Sequence, residues 1–388
     1  MSLRIYKSEK VAVALVLMAA TGMGVVIGMS FPLVALLLQR EGSGASMIGI
    51  NSAVGSLGIL TVGFFSAKML GKHGAFTPII GATVLGVGSL LALPLAGHPV
   101  GWFGLRFLLA LGLGFLWLLS ESWLNMLSNN RNRGKIIGLY SVSFSGGFAL
   151  GPMLVTLAGS HGLFPFAIAA VLMLTTTLPM LLLADRGAAA QRQASQRRGL
   201  FRIAPFIFVV SFAGGLFEMT IFALLPIYTL GEGLNETLSL YALSAFSAGG
   251  IALQYPLARF ADIVSRQALV TLSAVGILGC IIALPYAIGT TALLMPLLFI
   301  WGGMVFGLYT AGLIMLGDTY NSDTLVAANA LFIVFYISGA LFGPALSGGA
   351  MDLSPDHGFI GFLLVMAVLL VSVSPYRKLR PPPASDKP

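Results

Sequence analysis

Long apolar runs separated by short polar breaks fill almost all of the 388 residues. A helix that crosses a hydrocarbon core of about 30 Å needs about 20 apolar residues. Twelve stretches meet that need, at 11–37, 46–68, 75–96, 102–127, 135–158, 163–184, 203–230, 237–259, 267–288, 291–316, 325–350 and 359–375. The pattern predicts an all-α polytopic membrane protein with twelve transmembrane helices. Arg4, Lys7 and Lys10 precede the first run, as they would in a secretory signal. At about 27 residues that run far exceeds the 7–15 of a signal's apolar region, so it is read as the first retained helix.

The pattern also repeats. GLYSVSFSGGFALGP, residues 138–152, ends in Gly-Pro, and so does ANALFIVFYISGALFGP; Gly147 and Gly151 before Pro152 recur 192 residues later as Gly339 and Gly343 before Pro344. Glycines four apart share one helix face and let a neighbouring backbone approach closely. Gly138, nine residues before Gly147, lies about half a turn round the helix and is off that stripe. Each proline removes a backbone hydrogen bond and is expected to kink or end its helix. Pro32 and Pro226 end similar apolar runs 194 residues apart, a further sign of repetition. Between the repeats, ADRGAAAQRQASQRRGLFR has five arginines, one aspartate and no apolar run. The expected organisation is therefore two pseudo-symmetric six-helix bundles, 1–184 and 203–388 with its tail, joined by a basic cytoplasmic linker at 185–202. Parallel repeats of this kind belong to transporters that hold their substrate near the midplane.

Composition agrees with a lipid environment: 57% of residues are hydrophobic and 9% charged, against about 25% charged in soluble domains. The net charge of +8 does not point to nucleic acid, because all but two of the 21 Lys and Arg fall at the N-terminus, in or beside even-to-odd loops, or in the tail. The positive-inside rule then puts both termini in the cytoplasm, and a bacterial inner membrane is the expected location. Cys280 stands alone and His73, His98, His161 and His357 fall between spans, so neither a metal site nor a cofactor is expected. No P-loop and no nucleophile–histidine set can be assembled, which argues against an enzyme.

The series Gly138, eight residues, Gly147, three residues, Gly151-Pro152 resembles the antiporter motif of the Major Facilitator Superfamily. ARFADIVSR after the eighth span is similar to the family's loop motif, with Asp262 and Arg266 retained and Ala258 and Ser265 replacing glycines. FFSAKMLGKHG, the first-half copy, has Lys68 where the carboxylate usually stands. Arg106 with Gly112 and Gly114 resembles the fourth-helix arginine motif. ESWLN followed by RGKIIGLYS is similar to YcaD-like bacterial permeases. A copper-importer-like relative is disfavoured because its methionine and histidine pattern is missing. The resemblance implies a transporter fold whose first, fourth, seventh and tenth helices line a central cavity.

Charges inside spans then carry the functional reading, since each costs about 2.5–3.5 kcal/mol at mid-bilayer on insertion scales. Glu218, in the middle of the seventh span, is the expected proton-coupling group, because burial favours the neutral form and can bring a carboxyl into the neutral range. Arg106 either snorkels to the outer interface or turns inward, as a fixed charge for an anionic solute or a partner of Glu218. Glu121 lies fifteen residues on, roughly 22 Å, and is expected to meet Lys68 or Lys72 in a gate. Asp318 is its second-half counterpart and is expected to face Arg266. Asn51, Trp117, Tyr140, Tyr241, Gln254, Trp301, Tyr309 and Tyr336 are candidate cavity residues; aromatic walls suit an amphipathic or ring-containing molecule. The expected function is proton-coupled export of small organic solutes by a monomer. The alternatives are uptake of a sugar, vitamin or flavin by proton symport or facilitated diffusion, and a receptor that transports nothing.

Overall fold

The computed structural model describes residues 9–127, 133–186, 199–320 and 322–374, and among these every regular element is helical. In chain order the helices are α1 (Glu9–Arg40), α2 (Ala45–His73), α3 (Phe76–Ala92), α4 (Pro99–Leu127), α5 (Arg133–Ala158) and α6 (Phe164–Leu183). The four-residue α7 (Leu200–Ile203) is followed by α8 (Pro205–Gly231), α9 (Glu236–Ile263), α10 (Arg266–Ala287), α11 (Thr291–Thr319), α12 (Ser322–Leu353) and α13 (Gly358–Val373). Each predicted stretch falls on one of these helices. Ten of them, among the described residues, are long and apolar enough to span a membrane. Of the other three, α7 has only four residues, and α9 has the length but is the least apolar of the long helices. The sixteen residues of α13 reach about 24 Å. Large apolar side chains such as Met18, Val84, Leu174 and Leu178 are exposed within their helices, which suits contact with lipid.

Local chemistry fixes several helix starts. The Asn235 side chain accepts from the Leu238 amide at 2.8 Å and that of Ser265 from the Ala268 amide at 3.1 Å, satisfying donors that the first turns of α9 and α10 leave open. Gly42 after α1 and Gly233 after α8 both have positive φ, 76° and 89°. They turn the chain at equivalent points of the two repeats, in a conformation that side chains disfavour.

The chain divides into two compact units: Met1–Glu41 with Val54–Arg192, and Gly42–Ala53 with Gln193–Pro388. In unit 1, α1 and α5 pack glycine against backbone in both directions. A Cβ on Gly24 or Gly28 would strike the carbonyl of Phe144 or Phe148, and one on Gly147 or Gly151 would strike α1 at Thr21 or Gly28. Unit 2 repeats this with α8 and α12: Gly215 faces the Tyr336 carbonyl, Gly339 the Phe212 carbonyl and Gly343 the Leu216 carbonyl. Small residues permit the close packing that replaces a hydrophobic driving force in lipid. A Cβ on Gly138 would meet nothing, consistent with its place off the stripe.

The prolines do not end their helices. Pro152 lies inside α5 and Pro344 inside α12, while Pro32 and Pro226 lie inside α1 and α8. In α5 the reason is visible: the carbonyl four residues before Pro152 belongs to Phe148, and it lies against Gly28 of α1. A neighbouring helix shields the group that lost its donor, so the helix tolerates the proline.

Candidate functional site

Glu218 sits on α8 one turn beyond Gly215, and the seam that Gly215 permits brings α12 close enough for Tyr336 to reach it. The Tyr336 hydroxyl donates to Glu218 Oε2 at 2.8 Å. Ser211 donates to the Phe332 carbonyl at 2.6 Å in the same seam. Positions 211 and 215 thus face 332 and 336, and 212 and 216 face 339, at helical spacing. Tyr309 of α11 packs edge-on against Tyr336, with ring centroids 5.2 Å apart, and against Phe332 at 5.4 Å. Glu218 and both tyrosines are only partly buried. A tyrosine hydroxyl can donate to the carboxylate or to the carbonyl oxygen of the neutral acid, so the contact survives either protonation state.

Arg106 is buried in unit 1, 5% exposed, rather than extended to an interface. Its Nη1 donates to Ser30 Oγ at 3.2 Å, and its Cζ lies 4.8 Å from the centroid of the Phe31 ring. The other aromatic candidates of this unit form a separate group. Trp117 and Tyr140 both stack on Phe144, at 5.9 and 6.4 Å, and the Tyr140 hydroxyl lies 2.8 Å from Ser120 Oγ. Glu121, one turn beyond Trp117 on α4, is half-buried. Its expected partners Lys68 and Lys72 have side chains outside the described residues, as has Asp262.

The rest of the candidates scatter. Gln254 of α9 donates to Thr310 Oγ1 of α11 at 3.3 Å, next to Tyr309. Trp301 is fully buried, edge-on to Phe246 at 6.2 Å in the α9–α11 interface, and Tyr241 is 40% exposed. Asn51 is buried with neither amide atom bonded among the described residues. Arg266 and Asp318 do meet, Nε to Oδ2 at 3.2 Å, fastening the start of α10 to the end of α11 within unit 2.

One polar contact has no counterpart in the sequence reading. Asp352, at the end of α12, accepts from the Ala45 and Ser46 amides at 2.7 and 3.0 Å. It caps the first turn of α2, whose opening residues belong to unit 2, and a carboxylate suits a helix N-terminus. Gly49 against the Pro344 carbonyl and Gly348 against the Ala45 carbonyl let the two helices touch there. The sequence signal, a lone aspartate 307 residues from its partner, names no partner.

Residues 13–316 match the profile of the Major Facilitator Superfamily. The chain belongs to this family. Among curated relatives, the uncharacterized MFS-type transporter YfkF of Bacillus subtilis (strain 168) is 27% identical over 342 residues, covering 84% of this chain and 85% of YfkF. The YcaD transporter of Escherichia fergusonii is 25% identical, covering 87% of this chain and 88% of its own. Among solved structures, the nucleoside transporter NupG superposes with a TM-score of 0.75 at 13% identity, over 94% of this chain and 97% of NupG. A D-xylose-proton symporter gives 0.70 at 15%, over 95% and 97%. The protein is thus a multi-pass MFS transporter, and its relatives are transporters and not enzymes.

Proposed function

We propose that this MFS transporter is a proton-coupled secondary carrier of small organic solutes, working by alternating access across a bacterial inner membrane, with Glu218 as the group that takes up and releases the proton. The observation that carries this reading is the 2.8 Å Tyr336–Glu218 contact at the middle of a membrane helix. An ionisable side chain there is costly, and at such depth it is normally functional. The tyrosine supports both protonation states, and Tyr309 supplies an aromatic wall beside the acid, as an organic ligand requires.

The reading includes twelve crossings in two six-helix bundles, cytoplasmic termini and a monomer. The Arg266–Asp318 pair is a contact whose making and breaking biases the transport cycle. Export is favoured over uptake because the Gly147–Pro152 stripe resembles that of antiporters. In proteoliposomes loaded with a candidate solute, a pH gradient should drive transport that a protonophore abolishes. Glu218→Gln should abolish gradient-driven transport while leaving solute counterflow, the exchange that needs no net proton movement. Uphill transport that survives in Glu218→Gln would remove the proposal. Counterflow in vesicles of known orientation decides between export and uptake.

A further inference from the structure

Arg106 is the eighth residue of α4, so its backbone is about 10 Å along the helix from Pro99. Three neighbours in unit 1 hold the guanidinium. Ser30 Oγ of α1 accepts from Nη1 and itself donates to the Ile27 carbonyl at 2.8 Å, which orients its lone pairs toward the arginine. The face of Phe31 lies beneath the group. Gly55 of α2 leaves the space it occupies, since a Cβ there would come within 2.9 Å of Arg106 Nε. That Nε is buried and has no acceptor among the described residues, and no acidic side chain among them forms an ion pair with Arg106. Glu121, on the same helix, is roughly 22 Å away along its axis.

A guanidinium does not lose its charge at neutral pH, and its planar fork matches an oxyanion in two-point contact. An uncompensated buried cation is unfavourable, and a helix bundle that builds an oriented serine, an aromatic floor and a glycine recess around one has prepared it for an anion. We propose that Arg106 recognises the oxyanion of an organic acid, so that the transported solute is an organic anion. This rests on the reading of the protein as a secondary transporter and narrows its substrate class.

Thermal melting of the purified full-length protein tests the assignment without requiring flux, because a ligand of the native state raises its apparent stability. The probes are matched acids and amides: nicotinate against nicotinamide, benzoate against benzamide, and short aliphatic carboxylates against their amides. Acids should raise the Tm and amides should not. Arg106→Gln should lose the acid response, and Arg106→Lys, which keeps charge without the fork, should bind about tenfold more weakly. The ligand-free Arg106→Gln protein should be at least as stable as the native one, since it sheds an unpaired charge. Equal responses to acids and amides, an acid response that persists in Arg106→Gln, or no acid response at all would overturn the proposal. So would a ligand-free Arg106→Gln protein that melts below the native one, which would mean that Ser30 and Phe31 already compensate the charge. If phosphatidylglycerol raises the Tm through Arg106 while no acid does, the anion is a lipid headgroup and the solute assignment falls. Acid-dependent melting without any flux would retain the role of Arg106 and remove the transport reading instead.

Discussion

Units 1 and 2 share one architecture and hold opposite charges within their spans. In each, a glycine-lined helix is pressed against its partner's backbone, α1 on α5 and α8 on α12, with the paired glycines at the same offset in sequence. Unit 1 uses that frame beside Arg106, a charge held by a serine and an aromatic face. Unit 2 uses it to bring Tyr336 onto Glu218. A carboxyl can be neutralised by a proton and an arginine cannot. On the proposed reading the same scaffold supports two kinds of chemistry: a charge that comes and goes in unit 2, and a fixed one in unit 1 that binds an anion. The packing sets what is common and a single side chain per unit sets what differs.

The comparison breaks most severely at the packing they share. Replacing Gly147 or Gly339 by alanine forces a Cβ into a facing carbonyl. Each change should destabilise the protein by about 1–3 kcal/mol, read as a lower Tm in detergent, with equal damage in the two units. Gly138→Ala, which meets open space, should instead be neutral or stabilising by up to about 1 kcal/mol. At the next level, Tyr336→Phe removes the donor to Glu218 and should weaken pH-driven transport by about tenfold while leaving the fold intact. Phe in place of Tyr140, whose hydroxyl meets Ser120 in unit 1, should alter transport much less, and an equal loss would erase the distinction between the units. The smallest effect belongs to Asp318→Asn. Its pair with Arg266 is largely exposed, so the Tm should barely move and any transport defect should shrink as salt rises.

The helices were legible because bilayer thickness writes itself into the length of apolar runs, and most observed ends fall within a few residues of the predicted ones. The glycine stripes were legible because spacing alone assigns them to a face. Helix ends at prolines were misjudged: a proline signals a lost hydrogen bond, but the sequence does not reveal that Gly28 lies against the Phe148 carbonyl, 120 residues away. The same limit applies to the site. That Glu218 is special follows from a charge in an apolar run, whereas its bond to Tyr336 depends on a register between distant helices. Trp301 resembled a cavity residue by type alone and is fully buried between α9 and α11. Asp352 was missed for the complementary reason: a carboxylate near a polar break looks like any solvated residue until the first turn of α2 is set against it.

The central claim is that unit 2 carries the titrating carboxyl of the membrane interior. Infrared difference spectroscopy of the reconstituted protein across the neutral pH range observes that proton directly, through the carbonyl stretch of a protonated acid. In a Glu121→Gln background, which removes the other half-buried carboxyl of the spans, the account predicts one pH-sensitive carboxyl band that is absent in Glu218→Gln, shifts in Tyr336→Phe and is retained in Arg106→Gln. A band that persists unchanged in Glu218→Gln would contradict it.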